Sequence, residues 1–127
     1  MRHRHKKSVT MNTGIVKQQT VLRNLLTSLV TYGSIETTPS RARALKAYAD
    51  GFFSRLVKRS KTLSDADARR ENIRDVKSVL FTEDAGKKVM DSLLPTFVSR
   101  ETSSYVANHK AGLRPGDATT KVIVTLG

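Results

Sequence analysis

The sequence reads as an α+β, two-layer domain in the order α-β-α-α-α-β-β, with a small mixed three-stranded sheet. Three observations predict it. Two stretches, Gly14–Tyr32 and Pro39–Arg59, repeat their apolar residues at helical spacing. Between them lies a short run rich in β-branched residues, Ser34–Thr38. Two β-like runs, Tyr105–Lys110 and Thr119–Leu126, close the chain, the second built round Val122-Ile123-Val124. At 127 residues the whole suits one domain, with a basic N-terminal extension over 1–12 and a single folded unit over 13–127.

The extension, MRHRHKKSVTMN, has almost no apolar content and no amphipathic period. It cannot bury enough surface to offset its ordering entropy, so it is expected to take shape only against a partner. In the first helix Val21, Leu22, Leu25, Leu26, Leu29 and Val30 make one apolar stripe. Lys17, Asn24, Thr27 and Thr31 fall on the polar back, with Arg23 on its flank. Asn12 or Thr13 can cap the start, and Gly33 suits the left-handed position past the end. Thr38-Pro39 reads as an N-cap followed by proline at the first helical position. The second helix buries Leu45, Ala49, Phe52, Phe53 and Leu56. Its other face carries Arg43, Arg55 and Lys58, with Arg41 and Arg59 at the edge. Only Asp50 stands among them as an acid, so pairing along the helix cannot be their main purpose.

From Ser64 the character changes. Ser64 and Asp67 resemble a capping box with Asp in place of Glu, opening a helix over Asp65–Leu80 of balanced charge. Thr82 caps a fourth helix that begins at the acids Glu83-Asp84 and that Pro95 is expected to close. Gly112–Asp117 reads as the loop between the last two strands.

Charge is divided very unevenly. Up to Lys61 the chain has 13 Lys/Arg against only Glu36 and Asp50, so +11 of the formal +12 lies in the first 61 residues. The remaining 66 residues carry 10 bases and 9 acids. A block this cationic repels itself in a compact state and is best relieved by a polyanion, which points to nucleic acid. Other classes fall away. The chain lacks cysteine, which excludes disulfides, thiolate zinc sites and Cys nucleophiles. His3 and His5 alternate on the tail but have only the distant His109 for company, an incomplete ligand set, so no metal or cofactor is expected. No apolar run approaches the roughly 18 residues of a membrane span, and no hydrophobic region follows the basic start as in a secretory signal. An intracellular protein without membrane or small-molecule partners is the expectation. With no Ser/His/acid order, P-loop or paired buried carboxylates, an enzyme has nothing to work with. Few aromatics and no Trp argue against a base-stacking platform.

Candidate contacts follow from charge and backbone. The tail supplies Arg2, His3, Arg4, His5, Lys6 and Lys7. The first helix adds Lys17 and Arg23. Thr37, Thr38 and Arg41 surround the first turn of the second helix, where free N–H groups and the dipole favour a phosphate. Arg43, Arg55, Lys58 and Arg59 extend that surface. Lys110 and Arg114 flank the glycine-containing loop as a further point, while Asp117 is expected to fix the turn.

These residues also carry a resemblance. Met1-Arg2-His3-Arg4, Leu22-Arg23-Asn24-Leu25, Thr27-Ser28-Leu29-Val30, Ile35-x-Thr37-Thr38, Arg41-Ala42-Arg43 and Lys110-x-Gly112-x-Arg114-x-Gly116-Asp117 together resemble the family of bacterial large-subunit ribosomal protein seventeen. Phe97 and Ser99-Arg100 also fall in family-like places, and the likeness adds Arg100 and Tyr105 to the candidates. Where the family usually has Gly-Gly-Tyr-Thr-Arg, this chain has Ser103-Ser104-Tyr105-Val106-Ala107, so no contact of that arginine carries over. The resemblance implies a structural protein of translation, cytoplasmic in the large ribosomal subunit. It would bind rRNA near the polypeptide exit region and meet neighbouring ribosomal proteins, without enzymatic activity. The tail would thread between RNA segments while the folded unit reads RNA shape through phosphates. The rival is a small DNA-binding or nucleoid-associated protein, which lacks a helix-turn-helix pair with base-reading side chains.

Overall fold

The computed structural model describes residues 15–100 and 104–126. Helix α1 (Ile15–Tyr32) is followed by strand β1 (Ser34–Thr37), helix α2 (Pro39–Thr62) and helix α3 (Asp65–Val79). Helix α4 (Glu83–Lys88) runs through a π-helical turn, Val89–Leu93, into α5 (Leu94–Val98), and strands β2 (Val106–Leu113) and β3 (Thr120–Leu126) follow. The fold is α+β, as the sequence predicts.

The sheet has the order β1-β3-β2, and both pairings are antiparallel. The expected mixed sheet is corrected on this point. A single tight hairpin joins β2 to β3, and β1 lies on the far side of β3, so neither outer strand neighbours a parallel one. The register Thr37↔Val122 and Lys110↔Val122 aligns Ile35, Val122, Val124 and Val106 on the face that α1 and α2 cover. Between Lys110 and Leu113 the ladder slips by one residue, and Gly112 supplies the positive φ of +92° that this bulge requires. Strand β2 thus runs three residues beyond its expected end.

The core joins all the layers. Leu22, Leu26, Leu29 and Val30 of α1 meet Leu45, Phe52, Phe53 and Leu56 of α2. Phe53, Phe97 and Tyr105 form an aromatic cluster with ring centroids 4.8 to 6.1 Å apart. Asp50 sews α2 to the start of β2: its Oδ1 accepts the N–H groups of Tyr105 (3.0 Å) and Val106 (3.1 Å). Lys46 Nζ donates to Asp50 Oδ2 (2.8 Å) and to the Val106 carbonyl (2.9 Å). Gly33, at φ +81°, donates its N–H to Leu29 O at 2.8 Å, and its own carbonyl accepts Leu126 N–H at 3.1 Å. The end of α1 is thereby pinned to β3.

Four local expectations change. Pro95 does not end the fourth helix; the helical path continues to Val98. The π turn just before it, closed by Leu94 N–H to Val89 O, widens the backbone where the proline ring would otherwise press on the preceding turn. Thr38 occupies the N-cap position of α2 with Pro39 behind it, yet its side chain makes no capping bond. Thr27 leaves the polar back of α1: it is buried, donates to Arg23 O (2.8 Å) and accepts Phe81 N–H (3.2 Å). At the start of α3, Ser64 Oγ accepts Asp67 N–H at 3.5 Å and donates to Asp67 Oδ2 at 3.0 Å. The shorter Asp side chain pairs with the hydroxyl instead of reaching the Ser64 N–H that a Glu would find.

Candidate nucleic-acid interface

Antiparallel pairing of Thr37 with Val122 sets the N-terminus of α2 beside the start of β3. The result is a cleft of about 250 Å³ lined by Glu36, Thr37, Thr38 and Arg41 from the β1–α2 junction and by Arg114, Thr119, Thr120 and Lys121 from the final hairpin. Two contact points that lie far apart in sequence thus form one surface. Pro39 has no N–H, and the Thr38 hydroxyl does not cap the helix, so the N–H groups of the first turn are left for an outside acceptor. Three cations and four hydroxyls face the same hollow, with Glu36 as the single acid of the lining.

Arg114 reaches the cleft already oriented. Its Nε donates to Asp117 Oδ1 at 3.0 Å, and its Nη2 donates to Asp117 Oδ2 and, at 3.5 Å, to Thr119 Oγ1. Asp117 Oδ1 also accepts Thr119 N–H at 3.2 Å. The Arg114 guanidinium first, and the Thr119 N–H with it, hold the Asp117 carboxyl well below the usual carboxylate range, and Asp117 in turn raises Arg114. One edge of the guanidinium is taken by Asp117 and the other Nη2 hydrogen by Thr119 Oγ1, which leaves Nη1 to donate to a further acceptor. Gly116 (φ +105°) and Ala118 (φ +56°) turn the loop that sets up this pairing.

The remaining candidates divide. Arg43 and Lys58 are exposed on α2 and Lys110 is exposed on β2, while Lys17 is exposed on α1. Arg55 and Arg59 are paired within the protein: both bond Asp75 Oδ2 of α3, at 3.2 and 2.8 Å. The acid that the second helix lacks comes from its neighbour, which sequence distance conceals. Arg23 Nε donates to Val79 O at 2.9 Å and its guanidinium lies 4.1 Å from the Phe81 ring centroid. Arg100 stacks on Phe97 at 5.1 Å. Near Arg23 and Arg55, burial pushes the Tyr48 phenol up, and the two cations partly offset it. Tyr105, expected to touch RNA, is instead buried against Phe53 and Phe97, because the aromatic cluster needs its ring to complete the joint between α2, α5 and β2. Arg2, His3, Arg4, His5, Lys6 and Lys7 lie outside the described residues. Lys121 is absent from the sequence-based candidates. Nothing in the local pattern distinguishes it, and only the β1–β3 register carries it to the cleft.

Among known families, the model described as ribosomal protein L17 matches residues 21–127. The chain belongs to the ribosomal protein L17 family. Named relatives agree along most of the chain. It is 33% identical to "Large ribosomal subunit protein bL17" of Thermotoga maritima over 127 residues, 99% of this chain and 94% of that one. The protein of the same name from Clostridium acetobutylicum is 34% identical over 110 residues, 87% of this chain and 88% of the other. That from Sulfurimonas denitrificans is 30% identical over 126 residues, 99% of each. L17 membership makes the chain a structural, non-enzymatic protein of the large ribosomal subunit. Both walls of the cleft lie within the L17 match. No helix among the described residues is long and apolar enough to cross a membrane.

Proposed function

We propose that the chain binds large-subunit rRNA, gripping phosphates of a folded RNA segment through its basic side, and that it sits near the polypeptide exit region as the family likeness implies. The observation that carries the RNA reading is the shared cleft. Arg41, Arg114 and Lys121, with an uncapped helix N-terminus between them, converge from two parts of the chain that otherwise have no reason to concentrate like charge. Arg43, Lys58 and Lys110, exposed elsewhere on α2 and β2, are further candidate contacts, and Arg2 to Lys7 join them on charge alone. Contacts of this kind position the protein and read RNA shape more than base identity.

The test uses the full chain and isolated large-subunit rRNA in a salt titration. Each phosphate neutralised contributes about −0.7 to −0.9 to the log–log salt slope. The combined Arg41→Ala, Arg114→Ala and Lys121→Ala variant should weaken binding and flatten that slope by about 2 to 3, with circular dichroism unchanged. An unaltered slope would remove the cleft from the interface. Tighter, salt-resistant binding to duplex DNA would favour the rival reading.

A further inference from the structure

We infer that Glu36 gives the cleft its preference for RNA: its carboxylate accepts the 2′-hydroxyl of a ribose whose neighbouring phosphate sits against Arg41, Arg114 and Lys121. The inference rests on the rRNA reading above and says what the acid of that same hollow is for.

Glu36 is the odd member of the lining. A hollow that only holds phosphate gains nothing from a carboxylate, which repels the anion. Nor is this acid used inside the protein. Asp50, Asp75 and Asp117 each bond a Lys or Arg. Glu36 shares its hollow with three cations, yet it has no ion pair among the described residues. Strand register explains where it points. Glu36 pairs with Ile123, and along both strands burial alternates. Ile35, Val122 and Val124 turn toward α1 and α2, which leaves Glu36 exposed on the opposite face of the sheet.

An ionised carboxylate can only accept hydrogen bonds, so the group it selects is a donor. The RNA backbone carries such a donor beside every phosphate, the ribose 2′-hydroxyl, and DNA lacks it. A donor on a base edge suits the hollow less well. None of its eight lining residues has an aromatic ring or a purely apolar side chain, so a base finds nothing to stack on. Thr37, Thr38, Thr119 and Thr120 instead offer hydroxyls that can donate to phosphate and sugar oxygens alike. Against a deoxyribose, the Glu36 carboxylate meets only C–H groups and the adjacent phosphate charge. Attraction in RNA and repulsion in DNA then act in the same direction, which lets one side chain separate two similar ligands.

The test is 2′-deoxy interference with the full chain and large-subunit rRNA transcribed with sparse 2′-deoxynucleotides. Bound RNA is separated from free RNA, and the depletion of each substituted position from the bound fraction is read by sequencing. The wild-type chain should deplete one position, or a few adjacent ones, about tenfold. Glu36→Ala should abolish the depletion there and leave it elsewhere. Glu36→Gln, which keeps an acceptor oxygen without the charge, should retain part of it. Because Glu36 is exposed, both variants should keep the circular dichroism of the wild type. An interference pattern unchanged in Glu36→Ala overturns the assignment, while the salt slope set by Arg41, Arg114 and Lys121 still carries the RNA reading. A wild-type chain that does not bind the rRNA overturns both.

Discussion

The cleft beside α2 and the α3–α5 segment treat charge in opposite ways. In the cleft, Arg41 and Lys121 have no acid bonded to them among the described residues, and Arg114 is paired through Nε and Nη2 with its Nη1 still open. Around α3, Asp75 draws in Arg55 and Arg59, and Glu71 bonds Arg74 at 3.4 Å. Total charge therefore misjudges which cations are available. Two of the seven candidates around α2, Arg55 and Arg59, serve the packing of α2 on α3, while cations distant in sequence complete the cleft. A cationic block becomes a surface only where the fold withholds its acids.

The largest expected effect probes whether these two regions unfold as one. Phe97 is buried at the joint, with its ring 4.9 Å from Phe53 and 4.8 Å from Tyr105. Phe97→Ala should destabilise by about 3–5 kcal/mol, from lost burial plus the cavity left behind. Chemical denaturation followed by far-UV circular dichroism and by tyrosine fluorescence should give one coincident transition at a lower midpoint. If the helical signal is lost in a separate, earlier step, α3–α5 is its own cooperative unit and the two regions are independent.

How much of this is legible in the amino-acid sequence depends on the range of the contacts. The boundaries of α1, β1 and α3 follow from apolar period and from Gly33, Ser64 and Thr82, all signals within a few residues. The continuation through Pro95 is not legible, because it needs a π turn that no local pattern specifies. Nor are the antiparallel joining of β1 to β3, the capture of Arg55 and Arg59 by Asp75 and the place of Lys121, each set by residues 16 to 91 positions apart. Thr37, Thr38, Arg41 and Arg114 are legible one by one as phosphate candidates; that they line one hollow is not. Tyr105 shows the converse error, since a family pattern does not tell a surface ring from a core ring.

A middle-sized effect separates structural arginines from available ones. The Asp75 side chain is 12% exposed and holds two guanidinium groups, the more exposed of which, Arg55, is half in solvent. Asp75→Ala should cost about 1–3 kcal/mol, mostly from the partly buried Arg59 left without its partner. It also releases two cations. Affinity for rRNA should therefore hold or rise although the protein is less stable, whereas Arg41→Ala should weaken binding with stability unchanged. Parallel losses of stability and affinity in both variants would erase the distinction between the two regions.

The smallest effect is on a single titration. Bonded by Arg114 and Thr119, Asp117 is depressed below its ordinary value of 3.8. A carboxylate lowered by folding contributes stability that is complete above that ordinary value and is lost as pH falls through the depressed folded one. The hairpin's pairing should accordingly persist through pH 3.8 and fail only in stronger acid. Following the Asp117 carboxyl carbon by NMR should place its midpoint below 3.8, and Arg114→Gln should move it upward while the Thr119 N–H keeps part of the depression. Since both side chains are about half exposed, the change in global stability should be close to nothing. A midpoint that ignores the Arg114 substitution would mean that the guanidinium is not fixed by Asp117. Its approach to the cleft would then have to be ordered by the RNA itself.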